Sequence, residues 1–579
     1  MRIMLSSKRG RDLMRIGIFL TTAALVAGMV GCGPTQYNLT VSSTEGGDVT
    51  APGEGKFAYD EGTVVNLVAE AYEGYQFINW TGNVSAIARA YAATTTITIS
   101  GHCSITANFA IAIEIRDWYE LDAVRDDLDG SYVLMNDLDS TTAGYEELAG
   151  STANGGKGWQ PIGTEDDLFT GTFDGQGYEI RDLCINRTDT YEDPVGLFGI
   201  LDEGGCIENI GMVVNANFDG FWPVGALVGE NRGTLSNCYA TGGISGRVSV
   251  GGLVGLNTGT VVDCYSSSSV IGRVYVGGLI GGISISYGTV IDSYAAGSVT
   301  GLSVVGGLVG RNDGTVSNCR ATGNITGDDF IGGLVGQCLG GDETSVSNSH
   351  STGNVNGDKH IGGLIGRSTC IVSNSYSTGR VTGDFIVGGL VGDSGIMVSN
   401  SYSTGTVTGN WMVGGLVAEN SGTVSNSYST GDVIGETADV AGLVGFNVGN
   451  VQNSYSTGSV TGSMYVGGVV GNNWGNVSYS YSTGTVTGNE EVGGLVGRNL
   501  VGENIQGTVT NSFWDTETSG QTTSAGGTGK TTAEMKNIAT FSDTGWDITA
   551  IANPDIRNPS YVWNIVDGVT YPFLSWQAI

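Results

Sequence analysis

A block of the form Val/Ile-Gly-Gly-Leu-Val/Ile-Gly recurs along this 579-residue chain, with its central Leu or Val at 197, 227, 253, 279, 308, 334, 364, 390, 416, 443, 469 and 495. The steps between copies are 30, 26, 26, 29, 26, 30, 26, 26, 27, 26 and 26 residues, so seven of the eleven are equal and the rest carry small insertions. Each copy continues as Asn-x-Gly-Thr-Val-Ser-Asn-Ser-Tyr-Ser-Thr-Gly-x-Val-Thr-Gly. These segments are short, β-branched and broken by Gly, which leaves no stretch for a helix. One such unit cannot bury a face alone, whereas stacked units share a core and a backbone ladder. The pattern predicts an all-β fold built on a parallel β-helix, a β-solenoid of about twelve coils rising ~4.8 Å each. The 98 Gly residues alone would suggest disorder, but 40% of the chain is hydrophobic and only 14% charged, enough for a core when the apolar positions repeat.

The start of the chain has a different character. Arg2, Lys8, Arg9, Arg11 and Arg15 precede an uncharged apolar run at 16–30, shorter than the ~20 residues a helix needs to cross a bilayer and suited to an export signal. The run ends in Met29-Val30-Gly31-Cys32, which resembles the bacterial lipobox, with Met29 standing where Leu is usual. That resemblance implies a signal peptide at 1–31, cleavage before Cys32, and lipid attachment there, with 32–36 as a tether. The expected location is extracytoplasmic, on the cell surface, held to a membrane by lipid. Without residues 1–31 the chain carries 19 Lys and Arg against 56 Asp and Glu. Such a polyanion is a poor partner for nucleic acid.

Residues 37–110 alternate apolar and polar positions between Gly, Pro and Asp turns, as a small all-β module should. The GYQFINWTG and ITANFA segments resemble the internalin-type B-repeat, a module of bacterial surface proteins; the resemblance implies a spacer or adhesive role and brings no catalytic motif. Residues 111–190 contain DWYELDAVRDDL, predicted as a helix over 117–128, and SYVLMNDLD, predicted as a strand over 131–139. Together they suit an N-terminal cap, because an open solenoid end exposes strand edges. The array at 191–515 resembles the GLUG motif of surface proteins, haemagglutinin-like adhesins and the repeat regions beside some immunoglobulin-A peptidases. That resemblance implies surface display and fixes no substrate. Residues 516–579, with a helix predicted in TTAEMKNIATF and five late aromatic residues, are expected to cap the other end.

Residues one period apart stack in space, so columns of the repeat can be read for chemistry. The position held by Ser in most copies is Cys238, Cys264 and Cys319 in three, which predicts a small inward-facing site. The next position is Tyr in most copies, unbroken through Tyr376, Tyr402, Tyr428, Tyr455 and Tyr481, with Arg320 and His350 in the same series. Charge in the series places the column outside. Flat rings at regular spacing are candidate contacts for a glycan or a protein ligand; the alternative is a sheet surface that simply favours Tyr. Six residues before the central Leu, successive copies carry Asp328, Asp358 and Asp384. These are either turn residues following Gly or a carboxylate column suited to calcium, with a glycosidase pair as a further alternative.

No cofactor is required by any motif. His residues number three, no CxxC occurs, and no zinc site is expected. SAGGTGKT at 524–531 mimics a phosphate loop but has Ser524 at its first Gly and no strand before it, so no nucleotide is expected. With HExxH and GxSxG also missing, the expectation is a non-catalytic surface lipoprotein presenting a binding or adhesion face. A β-helix enzyme acting on polysaccharide and a structural stalk or surface-layer component are the alternatives.

Overall fold

The structure, a computed structural model, describes residues 35–188, 194–214, 218–284, 288–500, 502 and 507–577. The signal segment and Cys32 lie outside them, as do 285–287 and most of the insertion after Leu495. Among the described residues no helix is long and apolar enough to cross a membrane.

The chain divides into two units, one of residues 1–70 with 79–108, the other of 71–78 with 109–579. In the first, Gln36–Ser43 pairs antiparallel with Gly55–Asp60 and parallel with Cys103–Ile111. Gly47–Ala51, Val64–Ala71 and Thr94–Thr98 form a second small sheet. Alternation along these strands turns Leu39, Val41, Leu67, Ile97 and Ile105 inward.

The second unit is the solenoid. One coil shows how the repeat folds: Lys359–Gly362, Ile365–Ser368, Ile371–Ser373, Tyr376–Ser377 and Val381–Thr382 are its strands, separated by bends at Gly and Asn. Each pairs in parallel with its counterpart one period later, for example Ile365 with Val391 and Tyr376 with Tyr402. The strands after the Gly-Gly-Leu block stack into a sheet of twelve, the Thr-Val-Ser strands into one of fifteen, and the remainder into one of thirty-three. The central Leu, the Val or Ile beside it and one Val or Ile from each further strand except the Tyr-Ser strand, which turns in its Ser or Ala, fill a continuous core, nearly all of it wholly buried.

Two backbone demands explain the recurring features of the block, in which Ala226 and Ala441 each replace one glycine of the pair. A Cβ on Gly363, the second glycine, would lie 2.0 Å from the carbonyl oxygen of Gly389 in the next coil; on Gly362, the first, it would lie 1.9 Å from the carbonyl oxygen of Ile365. Glycine is therefore what lets the coils close upon each other. At the corner before the Ser-Tyr pair the chain needs positive φ, met by Asn at Asn318, Asn348, Asn374, Asn400 and Asn426, with φ between 49 and 55°. Asn is the ordinary side chain most tolerant of that region.

The coil interior also carries polar ladders. Asn420, Asn447, Asn473 and Asn499 form a chain of amide bonds, each Nδ2 donating to the next Oδ1 at 2.7–2.8 Å. The Ser/Cys column faces inward as expected. Ser375 Oγ donates to the Ser373 carbonyl at 2.7 Å and accepts from the Ser349 backbone at 3.2 Å, and Cys238, Cys264 and Cys319 sit buried in the same series. Cys338 and Cys370 form a disulfide across the 339–344 insertion.

At the N-terminal end, Ile113–Ile115 and Ser131–Leu134 extend the fifteen-stranded sheet. The expected 117–128 helix is a single turn, Trp118–Asp122, capped by Asp117, followed by a 3-10 turn at Ala123–Asp126. The strand expected over 131–139 ends at Leu134.

Candidate functional site

The Tyr column is a stack of parallel rings. Tyr239, Tyr265 and Tyr294 lie 4.9 Å apart, His350 to Tyr376 4.6 Å, and Tyr376, Tyr402, Tyr428, Tyr455 and Tyr481 continue at 4.8–5.1 Å with ring planes within 9°. Arg320 joins the series with its guanidinium 4.5 Å from the Tyr294 ring, so the cation extends the stack rather than breaking it. The spacing is the coil rise, imposed by strands such as Tyr376–Ser377 and Tyr402–Ser403 pairing in register.

The C-terminal segment takes half of this stripe. Trp546, Trp563, Leu574 and neighbours form one apolar cluster with Tyr428, Tyr455, Tyr481 and Phe513. Tyr481 donates to the Pro572 carbonyl at 2.5 Å, Tyr455 to Gln577 Oε1 at 2.8 Å, and Trp576 Nε1 to the Asn426 carbonyl at 3.1 Å. Burial raises the phenol pKa of all three covered tyrosines. Tyr428, Tyr455 and Tyr481 are therefore packing residues, which corrects the expectation that they form a ligand stripe. Tyr376 and Tyr402 remain half-buried, as do Tyr239, Tyr265 and Tyr294, with Arg320 exposed.

The same segment corrects the expected end cap. Residues 513–530 close the last coil: Ser524 Oγ accepts from the backbone N–H groups of Leu495 and Val496 at 3.3 and 2.8 Å, and Phe513–Asp515 pairs with Thr528–Lys530. The loop that mimics a phosphate site thus has a structural task. Beyond it the chain folds back along the tyrosines. The helix expected over 531–541 is two short ones, Thr532–Met535 with a Thr531/Glu534 capping box and Ile538–Ser542 capped by Asn537, which interrupts the helical run.

Asp328, Asp358 and Asp384 occupy successive coils, joined by backbone bonds of 2.9 Å from Asp358 N to Asp328 O and from Asp384 N to Asp358 O. Their side chains do not gather: among the described residues no three His, Cys, Asp or Glu side chains are placed to hold a metal ion. Each of the three follows a Gly at a bend, as the turn-residue alternative for this column expects.

Sequence reasoning missed a second outward column, four residues before the central Leu. Its members, Tyr275, Val304, Phe330, His360, Ile386, Met412, Asp439, Tyr465 and Glu491, all adopt positive φ without any Gly. They meet side chains of the neighbouring coils. Arg311 lies over Tyr275 and Arg498 over Tyr465, at 5.7 and 4.8 Å. His360 Nδ1 bonds Asp329 Oδ1 at 2.8 Å, Arg367 pairs with Asp393 at 3.2 Å, and burial raises the carboxyl pKa of Asp393 and Glu419. The only sequence signal was the variety of large residues at that position, which repeat periodicity does not single out.

Geometry and repeat together define a Gly-rich β-solenoid joined to a small all-β module, and comparison with known proteins places both parts. Residues 37–113 match the divergent InlB B-repeat domain, and residues 301–326, 357–382, 409–434 and 462–487 match the GLUG motif. The chain thus carries both of the modules that its sequence resembles. It is 38% identical over 135 residues to Halomucin of Haloquadratum walsbyi, a match spanning 22% of this chain and 1% of that one. It is 37% identical over 121 residues to a glycine-rich protein of Evansella cellulosilytica assigned to the membrane, spanning 20% of this chain and 13% of that one. The matched regions are thus a small part of these relatives. Among solved structures, one from Bacteroides ovatus assigned to the immunoglobulin A1 proteases aligns with TM-score 0.34 and 21% identity, covering 48% of this chain and 77% of that one. An IgA1 protease aligns with TM-score 0.31 and 17% identity, covering 59% and 24%. Neither alignment bears on activity.

Proposed function

We propose that the chain is a non-catalytic binding protein of the cell surface, exported, tethered to a membrane by lipid at Cys32, and presenting the solenoid to a glycan or a surface protein. The observation that carries this reading is the run of stacked side chains from Tyr239 to Tyr376, which the C-terminal segment leaves uncovered, its Trp576 reaching only as far as Tyr402. Its rings are held one coil apart on a rigid frame, while the same stripe further on is already in use as a docking face for the chain's own aromatic tail. The names of the two curated relatives, a mucin and a membrane protein, agree with surface display. The test is expression in a bacterial host with lipoprotein processing. The protein is expected in the membrane fraction and accessible to protease on intact cells, and Cys32→Ser is expected to release it into the soluble extracytoplasmic fraction. Cells displaying it should adhere to glycan- or protein-coated surfaces without turning over the coat. Retention in the cytoplasm, or absence of adhesion to every coat, contradicts the reading.

A further inference from the structure

Among the described residues the long sheet slips register beside its most exposed Trp. Val407–Gly414 and Val433–Ala441 pair in step as far as Gly409 and Gly435, then slip so that Trp411 faces Ala438. This is where the period lengthens from 26 to 27, between Leu416 and Leu443. Bulges of this kind re-aim side chains next to functional sites. Here Trp411 is 43% exposed, with Phe385 of the preceding coil at 6.0 Å on one side and only the methyl of Ala438 opposite it on the other.

The ring is anchored from below. Trp411 Nε1 donates to Asp439 Oδ2 at 3.0 Å, and Asp439 is 4% exposed with φ of 59°. Among the described residues the other positive-φ members of this column carry apolar, aromatic, hydroxyl, imidazole or solvent-exposed Glu side chains, so the buried carboxylate sets this coil apart from them. Asn472 lies beside it and accepts the Trp474 indole N–H at 3.1 Å, and Trp474 packs edge-on against Phe446 at 5.4 Å. The residues beside Trp411 and Ala438 in sequence carry amide and hydroxyl groups, with Thr437 Oγ1 donating to Asn410 Oδ1 at the surface. Asp384, whose carbonyl accepts from Trp411 N at 3.1 Å, and Glu436 are acidic, while Arg498 lies near Asp439 and Lys359 over the Phe385 ring at 5.9 Å.

An exposed indole pinned in one orientation, flanked by amide and hydroxyl groups, suits a ligand with an apolar face and a rim of hydroxyl groups. A neutral pyranose has both. We propose that Trp411, held by Asp439, is the stacking platform of a saccharide-binding site on this face, with neutral glycans as its ligands. The proposal rests on the surface-binding reading and specifies where and what the chain binds.

The test titrates the full chain with cellohexaose, maltohexaose, xylohexaose, mannohexaose and chitohexaose by calorimetry and Trp fluorescence. At least one is expected to bind, and Trp411→Ala is expected to weaken it about tenfold or more with an unchanged melting temperature. Asp439 acts as a positioning residue. Asp439→Ala is expected to lower affinity and shift the Trp411 indole N–H resonance, whereas Asp439→Asn, which keeps an acceptor, is expected to restore both. No binding to any of the five, or equal binding by Trp411→Ala, overturns the site. Adhesion that persists while Trp411→Ala binds as tightly as the parent removes this site and leaves the surface-binding reading standing. Saccharide binding through Trp411 without adhesion does the reverse.

Discussion

Gly363 and Ser377 face each other across one coil, and they should answer to mutation in opposite ways. Ala at 363 would push its Cβ to 2.0 Å from the Gly389 carbonyl and 2.3 Å from Ser377 Oγ, so Gly363→Ala is expected to cost roughly 1–3 kcal/mol in chemical denaturation. Ser377 Oγ is buried without a hydrogen-bond partner, and Ala295 and Ala321 already hold its place in other coils. Ser377→Ala is therefore expected to be neutral or stabilising, within about 0.5 kcal/mol of the parent. At this scale the sequence showed which positions are small but not why. The Ser/Cys column announced its inward direction through its own variation, whereas the buried amide ladder through Asn447 looked like turn chemistry. A ladder exists only when coils stack, and nothing local to Asn447 signals it. Glu208 adds a pH prediction. Burial first, and Asp174 next, push its carboxyl from an ordinary value up to about 7. The folded state thus holds the proton more tightly than the unfolded one. The stability from this group is fully present below the unfolded value, about 4.5, and is lost as pH rises through about 7. Melting temperature should fall across that window more steeply in the parent than in Glu208→Gln.

Among the elements, the C-terminal segment departs furthest from expectation. Its aromatic content showed that it must be buried, but the Tyr stripe and the open coil end were equally good places to put it. The structure uses both, with 513–530 on the end and the remainder on the side. Asn537 splits the helical stretch because its side chain caps the second helix, accepting from Ala539 N at 2.9 Å. A chain ending at residue 530 should keep its far-ultraviolet β signal, since the coil cores do not include the tail. It should also gain binding of a hydrophobic dye as Tyr428, Tyr455 and Tyr481 become exposed. Dye binding equal to that of the full chain would show that the tail does not cover the tyrosines.

At the scale of the whole solenoid, coil count and core were readable because a 26-residue period is itself a tertiary statement: it says which residues become neighbours. What the period hides is the exception. The bulge at Gly409/Trp411 and the carboxylate of Asp439 buried beneath it belong to one coil among those described, and a repeat reading averages such features away. The claim beneath every column is that each turn of chain lies in parallel register on the one before. Double electron–electron resonance tests it with spin labels on cysteines introduced in pairs along the column Thr300, Thr326, Thr382, Thr408, Thr461 and Thr487, in a Cys32→Ser background, the native thiols among the described residues being buried or bridged. The label separation should grow by about 4.8 Å for every coil crossed, with narrow distributions throughout. Broad distributions, or separations that do not rise in proportion to the number of coils, would contradict the stacked solenoid and every role built on it.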